Sequence, residues 1–391
     1  PNSTMTEQLK LKLNDSKATR WGALVIVAFT MMAAYYVNDV VAPLKTMLET
    51  DLAWSSTDFG FFTGGYSFLN VFFLMLIWGG LILDRFGIRF TGKLATILMV
   101  GGTALEYYAM TGLAGADATL FGINEIFGYK TGVFVAFAGY SIFGVGAEVA
   151  GITVSKIIAK WFKGKELATA MGVQVALARI GSQAGYAVAI PLARAFGIST
   201  PVLLGLVLLL GGMIAFFIFA VMDKKLDKQM EAAAIAAGTE DEEEKFSFKD
   251  VKNILVNPGF WLIALLCVLF YSCVFPFQKF ASELMIIKYG INENVAGTFA
   301  GLPALGALIL TPVFGGFIDK RGKSASIMLL GSAMLICVHF IYAIPDINYW
   351  LVAIVLMIIL GIAFSLVPSA MWPAVAKIFP VSQLGTAYAL I

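Results

Sequence analysis

The chain has 391 residues, 59% of them hydrophobic and only 13% charged, with a mean hydropathy of +0.85 and a formal net charge of +2. That balance excludes an ordinary soluble domain, and so small a net charge gives no sign of a nucleic-acid partner. The composition points to a protein that crosses a lipid bilayer several times.

An apolar run of about 20 residues spans the hydrocarbon core as a helix. Such runs lie at 21–41, 58–83, 91–114, 131–160, 166–193, 200–222, 258–287, 294–318, 325–344 and 348–378. Ten spans are therefore predicted, all helical, because lipid offers the backbone no hydrogen-bond partners and the period-2 pattern of a barrel is absent. The chain begins at Pro1, so the residues before Met5 are read as an expression remnant or the edge of a fragment. An eleventh apolar run starts after Ser382 and is cut at Ile391. The predicted fold is an all-α membrane protein of two pseudo-symmetric six-helix halves, with about one and a half helices missing from the C-terminal end. The expected divisions are an N-terminal segment 1–20, a first half 21–222, a linker 223–257 and a truncated second half 258–391.

Basic residues favour the cytoplasmic ends of helices. With the N-terminus inside, twenty of the 27 lysines and arginines fall on cytoplasmic segments. Lys45, Lys130, Arg194 and Lys288 lie on the opposite side, and three more sit within spans. The linker contains Lys224-Lys225, an alanine-rich stretch and the acidic run Glu240-Asp241-Glu242-Glu243-Glu244, read as a solvated surface with some helix. Cys267, Cys273 and Cys337 all lie in apolar helices, which implies no disulfide or metal framework. With a single histidine, His339, and no nucleophile or metal-ligand set, the chain is not expected to be an enzyme and needs no cofactor.

Two short stretches are nearly the same. Gly80-Leu81-Ile82-Leu83-Asp84-Arg85-Phe86-Gly87-Ile88-Arg89 recurs 235 positions later as Gly315-Gly316-Phe317-Ile318-Asp319-Lys320-Arg321-Gly322-Lys323. Each ends one apolar run and starts the next, as a tight charged turn between helices would. A second pair, Phe162-Lys163-Gly164-Lys165-Glu166-Leu167-Ala168-Thr169-Ala170 and Phe379-Pro380-Val381-Ser382-Gln383-Leu384-Gly385-Thr386-Ala387, marks the passage from a fourth to a fifth span in each half. Parallel repeats of this kind describe a transporter with sites at the repeat interface.

The repeated turns resemble the intracellular signature of the major facilitator superfamily. More narrowly, Trp161 to Leu167, Ala178-Arg179-Ile180-Gly181-Ser182, Val274-Phe275-Pro276-Phe277 and Gln383 to Tyr388 resemble the major facilitator domain-containing protein 1 family. Tyr35-Tyr36 with Asp39 fits the same family. Its animal members act as lysosomal dipeptide transporters. No lysosomal sorting signal stands in the short N-terminus, so the expectation is a bacterial relative in the inner (plasma) membrane.

Charges inside the hydrocarbon are costly and mark function by default. Glu148 and Arg179 each lie about 15 positions from the Lys163-Gly164 turn, some 20 Å along their helices at about 1.5 Å per residue. They are expected at matching depth on neighbouring antiparallel spans, either as a structural pair or as the clamp on a zwitterion. A guanidinium grips a carboxylate bidentately, and the resemblance implies that both residues bind the peptide termini. Asp39, after Tyr35 and Tyr36, is expected to touch substrate, carry a proton or act as a gate. Tyr66, Asn70, Gln174, Tyr271, Phe275 and Gln278 are candidate cavity lining. Lys279 and Glu283, four apart, are read as a bridge near the outer mouth. Glu106 and His339 sit on third spans, which are usually peripheral.

By resemblance, Gly80, Asp84, Arg85, Gly87 and Arg89 form one latch and Asp319, Lys320 and Gly322 another. Asp84 is expected to meet Arg85 or Arg89 and the start of helix eleven near Ser382. Asp319 is expected to meet the start of helix five near Lys165. The function expected is a secondary carrier, moving dipeptides or similar small zwitterions by alternating access, facilitated or proton-coupled. It is expected as a monomer, with any accessory subunit unassigned. The rivals are an organic-anion or drug antiporter of the same superfamily and a non-transporting receptor or assembly subunit.

Overall fold

The computed structural model describes residues 12–238 and 248–379 with Ala387, Leu390 and Ile391, except the side chains of Asp84, Leu167, Ala168, Phe248, Asp319 and Ala376. The chain divides into two compact units, Pro1–Gly185 with Leu192–Asp241, and Tyr186–Pro191 with Glu242–Ile391.

The first unit opens on α1 (Lys17–Val40), capped by the Ser16 hydroxyl, which accepts from the Thr19 amide. A 3-10 turn at Ala42–Leu44 leads into the short helix α2 (Lys45–Asp51). There follow α3 (Ser56–Phe72), α4 (Met75–Thr111), a hairpin of β1 (Glu125–Ile126) and β2 (Tyr129–Lys130), α5 (Thr131–Trp161), α6 (Leu167–Phe196) and α7 (Thr200–Ala237). The helices are apolar on most faces, as membrane spans are. α5 is the hub: α3 and α4 both pack along it, while α1 packs on α7.

The second unit contains α8 (Phe248–Val256), α9 (Pro258–Ile287), α10 (Glu293–Ala300), α11 (Leu302–Arg321), α12 (Ser324–Ala343) and α13 (Trp350–Ile378). α13 packs against α9, α11 and α12, and prolines 276, 312, 368 and 373 interrupt the backbone ladders of α9, α11 and α13, each removing one amide donor.

Among the described residues, seven helical segments are long and apolar enough to cross a bilayer, and a bent pair makes an eighth. That pair is the predicted second span. It breaks at Phe73-Leu74, where Ser56–Phe72 and Met75–Leu83 diverge by 59°, and Leu74 adopts a left-handed backbone at φ 53°. The predicted third and fifth spans are helical, within α4 and α6. Both carry polar residues: the third has Lys93 and Glu106, and the fifth has Gln174, Arg179, Ser182 and Gln183. The boundary drawn at residue 223 falls inside a helix, because α7 continues to Ala237.

The charged turn of the first repeat is tighter than two helices joined by a loop. Helical backbone runs from Met75 to Thr111, and Gly87 alone departs from it, at φ 80° and ψ 177°. In the second copy Gly322 ends α11 at φ 67°. Both glycines stand three residues after the acid, in a region that side chains other than glycine rarely adopt.

Candidate functional site

Two close helix crossings build the polar centre of the first unit. On α6, a Cβ added to Gly181 would lie 2.1 Å from the Met32 carbonyl oxygen of α1. One turn on, a Cβ at Gly185 would lie 2.9 Å from the Tyr36 carbonyl oxygen. Small residues four apart let membrane helices meet backbone to backbone. This contact sets the Arg179 guanidinium over the Tyr35 ring, 5.9 Å from its centroid, and allows the Ser182 hydroxyl to donate to Asp39 Oδ2. Asn38 Nδ2 donates to Asp39 Oδ1 at 3.2 Å. Tyr140 of α5 in turn directs its hydroxyl at the Asn38 carbonyl, 2.7 Å away, and at Asn38 Oδ1, 2.9 Å away.

The second crossing joins α3 to α5. A Cβ at Gly144 would lie 2.3 Å from the Tyr66 carbonyl oxygen. The approach lets the Tyr66 hydroxyl donate to Glu148 Oε1 at 2.8 Å. Tyr66 also leans on Tyr140, ring centroids 5.7 Å apart. Tyr35 lies beneath the Arg179 guanidinium and one helical turn before Asp39, and it also feels the charge of Glu148. Tyr35, Asp39, Tyr66, Glu148 and Arg179 are all half-buried, whereas Tyr140 and Ser182 are buried. At 5.9 Å, the Arg179 guanidinium makes a cation–π contact with the Tyr35 ring.

Of the other predicted lining residues, Asn70 donates to the Tyr66 carbonyl at 3.2 Å, and its buried Oδ1 has no hydrogen-bond partner among the described residues. Gln174 is half-buried on α6. In the second unit, Tyr271 and Phe275 stack at 5.1 Å with their planes 7° apart, Trp372 donates its indole N–H towards the Tyr271 hydroxyl at 3.4 Å, and Gln278 is buried. Lys279 and Glu283 lie half-buried on α9. His339 sits edge-on to Phe277 at 5.0 Å. Glu106, on the predicted third span, is fully buried, at the place where Gly102 and Gly139 bring α4 and α5 into backbone contact.

The described residues of the predicted latches have definite neighbours. Arg89 pairs with two acids of α7, Asp223 at 2.8 Å and Asp227. Lys160 of α5 meets the same two carboxylates, at 2.9 and 2.5 Å, and the Trp161 indole donates to Asp223 Oδ1 at 2.9 Å. Lys165 pairs with Asp15 and reaches the Asn14 carbonyl at 3.3 Å. Arg85 covers the Phe86 ring at 5.6 Å, Gly80 is helical, and Lys320 is exposed. The Asp84 and Asp319 side chains and Ser382 lie outside the described residues, and with them both predicted latch contacts.

Asp223, Asp227, Tyr140 and Ser182 were not singled out as site residues in the sequence. Asp223 had a legible signal, an acid one helical turn before Asp227 at the end of an apolar run. Tyr140 had none, since its partners are the carbonyl and side-chain oxygens of Asn38 on another helix.

The Major Facilitator Superfamily model matches residues 21–391. The chain is similar to the lysosomal dipeptide transporter MFSD1 of Homo sapiens, 29% identical over 385 residues that cover 95% of the chain and 76% of the relative. It is similar to the Gallus gallus protein of the same name, 33% identical over 263 residues that cover 64% of the chain and 56% of the relative. Solved structures share the fold: a nucleoside transporter, with TM-score 0.67 at 12% identity, covering 94% of this chain and 86% of that one, and a peptide transporter bound to sulfate, with TM-score 0.64 at 13% identity, covering 94% and 85%. The chain belongs to the Major Facilitator Superfamily of membrane transporters.

Proposed function

We propose that this transporter moves dipeptides or similar small zwitterions by alternating access, with Glu148 and Arg179 receiving the two charged termini. One observation carries the reading: a guanidinium and two carboxylates, Glu148 and Asp39, share the neighbourhood of Tyr35 inside an apolar helical unit. A cation and two anions around one aromatic ring suit a molecule with a charge at each end. The similarity to dipeptide transporters of animal lysosomes agrees with it. Arg179 would grip the carboxylate, Glu148 the ammonium, and Asp39 would assist Glu148 or carry a coupled proton. Within the second unit, Tyr271, Phe275 and Gln278 are proposed as cavity lining, with Lys279, Glu283 and the repeated turns as gating elements. The basic-residue distribution supports a cytoplasmic N-terminus, and a bacterial inner membrane is the proposed location.

Ligand-induced thermal stabilisation tests this. Free dipeptides are expected to raise the melting temperature of the purified protein, and N-acetylated or C-amidated forms are not. Glu148→Gln and Arg179→Ala are each expected to fold, lose that response and abolish dipeptide uptake into vesicles. Undiminished uptake by either variant would sink the assignment.

A further inference from the structure

Between α4 and α5 the chain makes two consecutive two-residue turns, and each places a phenylalanine where phenylalanine fits poorly. Leu120 and Ile123 exchange backbone hydrogen bonds at 3.0 Å around Phe121-Gly122. Ile126 pairs with Tyr129 around Phe127-Gly128. The backbone is left-handed at all four central positions: φ is 53° and 79° in the first turn, 52° and 81° in the second. Hairpin turns of this hand favour Asn, Asp or Gly at the first central position, and a bulky side chain there is strained. Phe121 and Phe127 are nevertheless 95% and 89% exposed, the two most exposed large apolar side chains among the described residues.

The hairpin is fixed to the end of a membrane span. Thr131, the first residue of α5, donates its amide to the Asn124 carbonyl at 3.1 Å and its hydroxyl to the Ile123 carbonyl at 2.9 Å. Tyr129 stacks on Phe61 of α3 at 3.9 Å with the rings 6° apart, and Lys130 Nζ reaches the Ala53 carbonyl at 2.7 Å. The Phe127 ring stands 6.0 Å from Phe134, in the first turn of α5. The tips therefore lie at the depth where the Thr131–Trp161 span begins, the level at which aromatic side chains concentrate in membrane proteins.

We propose that Phe121 and Phe127 are twin lipid anchors, seated in the interfacial layer of the bilayer and holding the start of α5 at a fixed depth. Burial among headgroups and upper acyl chains would offset both the left-handed backbone and the exposure. A protein partner fits less well, because such surfaces are contiguous apolar patches and exposed polar Asn124 and Glu125 stand between the two tips.

The test reconstitutes the full chain into phosphatidylcholine–phosphatidylglycerol vesicles, with photoreactive benzoylphenylalanine at position 121, at 127, or at Asp117 in the same loop as a solvent-exposed control. Irradiation is expected to give phospholipid adducts at 121 and 127 at least about fivefold above those at 117, the contrast between interfacial and aqueous side chains. Adducts no higher than at 117, or cross-links to protein alone, would overturn the proposal. Hydroxyl-radical labelling of the unsubstituted chain in the same vesicles gives a second reading. Slow oxidation of Phe121 and Phe127 relative to the unfolded chain supports seating in lipid, and oxidation at the unfolded rate refutes it.

Discussion

The phenolic hydroxyl of Tyr66 donates to Glu148 Oε1 at 2.8 Å across the α3–α5 crossing. A tyrosine so placed holds the carboxylate in one orientation and leaves its second oxygen for another donor. The carboxylate is the proposed charge partner of a substrate ammonium, whereas the hydroxyl only orients it. A hydrogen bond to a charged group contributes about 1.5–3 kcal/mol. Tyr66→Phe is therefore expected to weaken dipeptide affinity about 10- to 100-fold, while Glu148→Gln removes binding altogether. Calorimetric titration of both variants checks this. Equal losses in the two would mean that Tyr66 is itself a ligand-binding group.

The α1–α6 contact gives a packing test of the same centre. A methyl group at Gly181 has nowhere to go, since it would overlap the Met32 backbone carbonyl at 2.1 Å, and backbone yields less readily than a flexible side chain. Gly181→Ala is expected to cost about 1–3 kcal/mol or more from overpacking, read as a lowered melting temperature. It should also weaken dipeptide binding, because Arg179 and Ser182 ride on the same helix as Gly181. Gly172→Ala, on the same helix with nothing near its Cβ position, is the control and should be neutral. A stable Gly181→Ala protein would mean that the two helices have room to separate.

The membrane class, the helical spans and the repeated turns were legible because each is written in runs of residue type. Glu148 and Arg179 stand out as candidates because charge is conspicuous in apolar sequence. What holds them was less visible. Tyr66 was one of several aromatic residues in its span until α3 met α5, and Tyr140 reaches Asn38, through both its backbone and its side-chain oxygen, only once α5 meets α1. The break at Phe73-Leu74 was hidden because hydropathy does not register backbone geometry. Arg89 illustrates the limit of motif reading: the motif located the residue, but its acids, Asp223 and Asp227, lie more than 130 positions away in what was read as the start of a linker.

That network makes two acids on one helix face unequal. Asp223 is fully buried and meets Arg89, Lys160 and the Trp161 indole, whereas the Asp227 side chain is 43% exposed. Breaking a buried ion pair costs up to about 3–5 kcal/mol; removing Asp223 takes the acceptor from the buried Trp161 indole, while Arg89 and Lys160, 35% and 22% exposed, keep Asp227. A largely exposed pair contributes about 0–1 kcal/mol. Asp223→Ala is accordingly expected to unfold at much lower temperature than the parent protein, with Asp227→Ala close to it. Comparable shifts for the two would show that water reaches Asp223.

The N-terminal strap should come off in acid. Lys165 bonds the Asp15 carboxylate and holds its pKa below the ordinary 3.8. The Trp21 indole, with Lys17 and Arg20, lowers that of Glu166 below 4.5. Both groups therefore bind protons less readily when folded. Their contribution is fully present above the unfolded carboxylate values and is lost as pH falls through the depressed folded ones. Neutral Asp15→Asn and Glu166→Gln lack the charge at every pH. The melting-temperature gap between parent and double variant is thus expected to be constant from pH 7 to about 5 and to close below about pH 4, where unfolded carboxylates protonate. The double variant should also release the segment at neutral pH, read as faster amide exchange at Leu13, whose amide donates to Gln229 Oε1 at 2.7 Å. A gap that persists unchanged at pH 3 would assign the effect to packing around Trp21 instead of to the two carboxylates.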